Sequence, residues 1–161
     1  LEIKFFPNKS LEYYYFTLII LLLLTIISGA FMAGSHAGQS FNTYPLMNGY
    51  FFPNDYFLDD MGVRNFFENT VAINFNHRWL ASFVFVLIIS NILYLIFSQK
   101  YNKYNLQMAL IFIFACLQFL LGIMTLLTNV EISLASLHQI NSMLLLASLI
   151  YMYHSIKKLE K

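Results

Sequence analysis

A chain of 161 residues that is 59% hydrophobic and only 11% charged has more apolar surface than one soluble core can hide. A soluble domain carries about 25% charged residues, so the excess here must face lipid. The formal net charge of +1 excludes the broad basic surface that a nucleic-acid partner needs, and a single cysteine, Cys116, excludes an internal disulfide.

Taken in order, the polar entry Leu1 to Glu12 gives way to an uncharged run, Tyr13 to Ala33, opened by Tyr13-Tyr14-Tyr15-Phe16. About 20 apolar residues cross ~30 Å of hydrocarbon, and aromatics favour the headgroup level. The run is too long for a signal-peptide core and lacks a small-residue cleavage pattern, so it reads as a true span. Gly34 to Phe75 is a long aromatic loop in which Pro45 and Pro53 mark turns. We expect it to lie on the membrane surface, as a cap or as an anchor. Phe67, Val71 and Phe75 recur at helical spacing and predict a short interfacial helix leading into His77. Three further uncharged runs follow, at 77–98, 106–127 and 134–153, so the spacing predicts four spans with the first at 13–33. The fold class is therefore an all-α membrane protein, one four-transmembrane-helix bundle with a long aromatic outer loop between helices 1 and 2.

Four crossings put both termini and the Ser98–Asn105 link on one side. That side holds Lys4, Lys9, Lys100, Lys103, Lys157, Lys158 and Lys161, seven of the nine basic residues. The other side has Arg64 and Arg78 beside Asp55, Asp59, Asp60, Glu68 and Glu131. Basic flanks mark the cytoplasmic or matrix side, so both termini are expected inside. The bilayer is the first partner.

An ionisable residue within a span needs a reason to be there. His77, in Asn74-Phe75-Asn76-His77-Arg78-Trp79, and His138, in Leu137-His138-Gln139, both fall near the outer ends of their spans. Two imidazoles at similar depth on different helices suit the two faces of a heme iron. Ala81, and Asn141 or Ser142, one turn further on, leave room for a flat ring, and Arg78 suits a propionate. The alternative is that the histidines are interfacial anchors or helix contacts and that Arg78 snorkels to water. His36 lies in an outer turn and His154 among lysines at the opposite end, which pairs neither with the others. No phosphate loop, nucleophile motif or paired metal-carboxylate spacing is present.

Three stretches then line up with a known family. Gly29-Ala30-Phe31-Met32-Ala33-Gly34 with Ala37-Gly38 and Phe41-Asn42-Thr43-Tyr44-Pro45-Leu46-Met47 is the first. Phe67-Glu68-Asn69 with Phe75-Asn76-His77-Arg78-Trp79-Leu80-Ala81 is the second, and Gly122-Ile123-Met124-Thr125-Leu126-Leu127 with Leu137-His138-Gln139 the third. Together they resemble the heme A synthase family of cytochrome oxidase assembly, specifically the C-terminal of its two four-helix halves. The resemblance implies that His77 and His138 ligate a b-type heme cofactor that passes electrons. The heme O substrate, and the acidic residue that helps oxidise its methyl group to a formyl, would belong to the N-terminal half. It gives His36 and Glu68 no role. The implied partners are an N-terminal-half polypeptide or a second copy in a homo-oligomer, with a respiratory-chain protein or a heme O synthase beside it. The implied location is the mitochondrial inner membrane or the bacterial plasma membrane. A non-catalytic heme-binding or structural subunit of a respiratory complex is the other reading at this point.

Overall fold

The computed structural model describes residues 9–98 and 101–158. Lys4, Lys100 and Lys161, counted above on the basic side, lie outside them. Lipid offers no hydrogen bonds, so an apolar segment must satisfy its own backbone, and the long uncharged runs fold as helices. Among the described residues five α-helices form: α1 (Lys9–Gly34), α2 (Asn65–Glu68), α3 (Thr70–Phe97), α4 (Asn105–Leu127) and α5 (Ile132–Lys158). All but α2 are long and apolar enough to cross a membrane. The chain is an integral membrane protein.

The four long helices close a ring in the order α1, α3, α4, α5, so α1 faces α4 and α3 faces α5 across the interior. At the end where the described chain begins and finishes, Glu12 of α1 accepts from the Tyr153 hydroxyl at 3.3 Å and stands 3.9 Å from Lys157 Nζ. Gln107, at the start of α4, donates to Ser155 of α5 there. We call this the terminal end and the other the loop end.

The two ends are packed differently. The main apolar core fills the half toward the terminal end, from Tyr15, Leu18 and Leu22 through Ile88, Ile92 and Leu95 to Ile111, Leu149 and Met152. Toward the loop end the interior turns polar, with Thr25, Asn74, Asn141 and Ser142 buried.

The second span starts earlier than the sequence pattern placed it. The expected interfacial helix is divided: Phe67 falls in the short α2, whereas Val71 and Phe75 belong to the span itself, one unbroken helix from Thr70 capped by Asn69, whose side chain accepts from the Val71 N–H at 2.9 Å. Two asparagines made this hard to read, Asn74 and Asn76, which look too polar for a span. Both are engaged by the loop, since Asn74 donates to the Ala37 carbonyl at 2.8 Å, its Oδ1 staying buried without a partner among the described residues, and Asn76 accepts from the Tyr56 hydroxyl at 3.0 Å.

The aromatic loop is itself folded. Buried Asn65 donates to the Tyr56 carbonyl and accepts from the Leu58 N–H, while Asn69 donates to the Asp55 carbonyl and to Asn65 Oδ1. Around this hub Phe52, Tyr56, Phe75 and Trp79 pack ring to ring. Asn48-Gly49, with φ of 51° and 91°, makes a tight turn between Met47 and Tyr50, a geometry that favours these two residues.

Candidate functional site, two imidazoles seated on glycines

Because α3 begins at Thr70, His77 is its eighth residue, and His138 is the seventh of α5. At ~1.5 Å per residue both lie about 10 Å in from the loop end. They stand on diagonal helices at matched depth, each half-buried.

Each ring rests on a glycine of the adjacent helix. A Cβ added at Gly29 of α1 would sit 3.3 Å from His77 Cε1, and one added at Gly122 of α4 would sit 2.9 Å from His138 Cε1. These glycines are needed for close approach rather than for backbone freedom.

The polar neighbours differ. Ser28 Oγ lies 2.7 Å from His77 Nδ1. The Gln118 side-chain nitrogen lies 3.3 Å from His138 Nε2. Gln118 Oε1 accepts from Asn141 Nδ2 at 2.7 Å, which fixes the amide so that its N–H₂ faces the imidazole. An amide nitrogen only donates, so His138 Nε2 is the acceptor and Nδ1 carries the proton. That Nδ1 is buried without a hydrogen-bond partner. Asn141, expected to leave open room beside His138, is bonded to α4 through Gln118 and the Phe114 carbonyl at 2.9 Å.

Arg78 is held by the loop. Its Nη2 donates to the Thr43 carbonyl at 2.8 Å and to the Pro45 carbonyl at 3.1 Å, and its guanidinium lies 5.6 Å from the Tyr44 ring centre. Tyr44 in turn reaches Phe119 of α4, ring to ring at 6.2 Å. Arg78 Nη1 is buried and unpartnered. His36 and His154 are exposed, at opposite ends of the molecule, and join neither imidazole. Glu68 is exposed too and, among the described residues, pairs with Arg64 at 3.8 Å. No three His, Cys, Asp or Glu side chains gather into a metal cluster among the described residues.

Sequence reasoning missed Ser28 and Gln118. Gln118 had a signal, being a lone amide in an uncharged span. Ser28 had none, since one serine among Ile and Leu reads as a helix contact.

The family model for cytochrome oxidase assembly proteins matches residues 4–150. The chain belongs to this family. A heme A synthase of Pelagibacter ubique is 40% identical over 149 residues, which cover 91% of this chain and 43% of the relative. The heme A synthase of Nitrosospira multiformis is 34% identical over 83% of the chain and 37% of its own length. For that of Arabidopsis thaliana the figures are 36%, 83% and 29%. The chain thus spans less than half the length of these family members. No solved structure matches it.

Proposed function

We propose that this chain is the b-type-heme-binding, C-terminal four-helix half of a heme A synthase, in which His77 and His138 would hold the iron. The observation that carries the reading is the matched pair, two half-buried imidazoles at one depth on diagonal helices, each seated on a glycine.

The donor set fits such a group. Both rings are the tautomer whose Nε2 bears the lone pair, as argued above for His138 and below for His77, and a neutral imidazole lone pair is what iron takes. On His138 that lone pair meets the 3.3 Å contact from Gln118, near the long limit for a hydrogen bond, which a metal would have to displace. Arg78 Nη1, buried and unspent, is the donor suited to a propionate. A bound heme would supply one-electron transfer to the oxidation of heme O. The protein's own share is to orient two imidazoles and to close the loop end through Arg78, Thr43 and Pro45.

The substrate reaction itself we assign to the remainder of the family architecture, in the same polypeptide or a partner. Nothing in the described residues offers a second outer histidine pair, and exposed His36 has no titratable neighbour bonded to it. Expressed alone in a strain lacking heme A synthase, these 161 residues should bind heme and yield no heme A. Heme A in the extracted pigment, with no partner present, would sink this division of labour. A purified chain with no low-spin heme spectrum would sink the cofactor assignment.

We further place both termini on the cytoplasmic or matrix side, from the basic residues Lys9, Lys103 and Lys157 at the terminal end. A cysteine placed at Asn48 should then react with an impermeant reagent from outside. Labelling from the inner side alone would reverse the orientation.

A further inference from the structure

We propose that Ser28 is the positioning residue of His77, holding its imidazole as the Nδ1–H tautomer so that the Nε2 lone pair is kept for the metal. The proposal rests on the reading of His77 as an iron ligand. Ser28 Oγ stands 2.7 Å from the Thr25 carbonyl and 2.7 Å from His77 Nδ1. A hydroxyl has one proton to give, and a carbonyl can only accept. The Ser28 proton therefore goes to Thr25, and the short contact to His77 must be a donation from Nδ1–H to Oγ. Nε2 is left with its lone pair.

A serine that bonds back one turn is commonplace in membrane helices. Ser142 and Ser148 do this, to the carbonyls of Gln139 and Leu145, and have no other side-chain bond among the described residues. Ser28 differs in reaching a histidine 49 residues away on another helix. Its neighbour Gly29 is what lets the ring come so near, since a Cβ there would already stand 3.3 Å from Cε1. The pair Ser28-Gly29 is thus one seat, the glycine setting the distance and the serine setting the proton. A histidine that binds metal donates its second ring N–H to an acceptor that orients the ring and raises its basicity. Here the carbonyl of Thr25, relayed through the Ser28 hydroxyl, is that acceptor.

Ser28→Val and Ser28→Thr are the discriminating pair, because they share a shape and differ in the hydroxyl. In the heme-free chain with nitrogen-labelled histidine, NMR should show His77 protonated at Nδ1 for the parent and the Thr variant, and a mixed tautomer for Val. In the heme-loaded chain, Val should raise the midpoint potential, shift the low-spin EPR signal and weaken heme retention ~10-fold, with Thr close to the parent. Equal potentials and signals for Val, Thr and parent would overturn the Ser28 proposal while leaving the ligand assignment standing. If the parent itself lacks a bis-histidine spectrum, the ligand assignment fails, and the tautomer seen in the heme-free chain still decides the role of Ser28.

Discussion

The His77 and His138 seats are built from the same two parts, an imidazole and a glycine on the next helix, yet different nitrogens are engaged. His77 is held from behind, at Nδ1, by Ser28 on α1. His138 is held from the front, at Nε2, by Gln118 on α4, and its Nδ1 has no partner. Both devices select the same tautomer. The first leaves the metal-binding nitrogen available, whereas the second covers it. We read the His77 seat as prepared in advance and the His138 seat as latched, with Gln118 as the latch. The lesson is that matched position along two helices does not make two sites equivalent; the polar residue beside each ring decides which nitrogen is spent.

The largest test removes one ring at a time. His77→Ala and His138→Ala should each abolish the low-spin spectrum, since a single imidazole leaves the iron five-coordinate or the heme unbound. An unchanged spectrum in both would refute the pairing. Next come the glycines. Gly122→Ala drives a Cβ to 2.9 Å from His138, and the overpacking of about 1–3 kcal/mol should outweigh the gain of about 1 kcal/mol in helix propensity, with loss of heme retention. Gly29→Ala meets His77 at the milder 3.3 Å, and alanine's helix propensity offsets about 1 kcal/mol, so thermal stability should barely move. Equal damage from the two would erase the asymmetry.

A smaller effect separates latch from prop. Gln118→Leu should leave heme affinity unchanged or slightly higher, because the competitor for His138 Nε2 is gone, whereas Ser28→Val should lower it. A titration with free heme reads both, and a loss on Gln118→Leu as large as that on Ser28→Val would end the latch reading.

The smallest effect lies at the helix starts. Glu131 caps α5 by accepting from the Leu134 and Ser133 N–H groups, at 2.9 and 3.1 Å, and Leu134 first, then Ser133, hold its carboxylate below the usual glutamate range. A depressed carboxylate stabilises the folded state above its unfolded value, and the contribution is lost as pH falls through the lower folded value. The loss therefore begins below about 4.5. Asn69, which caps α3, does not titrate. The amide protection factors of Ser133 and Leu134, each taken against the intrinsic rate at the same pH, should fall on acidification while that of Val71 holds, and Glu131→Gln should remove that difference. A parallel fall at Val71 would point to general acid unfolding instead.

How much of this was legible beforehand follows from what each feature rests on. The spans were readable because twenty uncharged residues have few other fates, and the two histidines because a titratable group in such a run is conspicuous. The start of α3 was hidden, since Asn74 and Asn76 look like loop residues until their partners, Ala37 and Tyr56, are known. Arg78 drew attention as a charge beside a histidine, but its bonds to Thr43 and Pro45 depend on how the loop folds back. Ser28 was illegible for a similar reason, its role being a contact across 49 residues rather than a local pattern.

The two caps at the loop end also act as gauge marks. His77 is eight residues beyond Asn69, and His138 is seven beyond Glu131. Each imidazole's depth and bearing are thereby measured off from a fixed zero, so the spacing, and not only the residue, is under constraint. One residue inserted between Asn69 and His77 would swing the ring by ~100° and displace it ~1.5 Å along the axis, off Gly29 and away from Ser28. A full-turn insertion would restore the bearing and still miss the depth. Length between cap and histidine should thus tolerate change far less than the sequence that fills it.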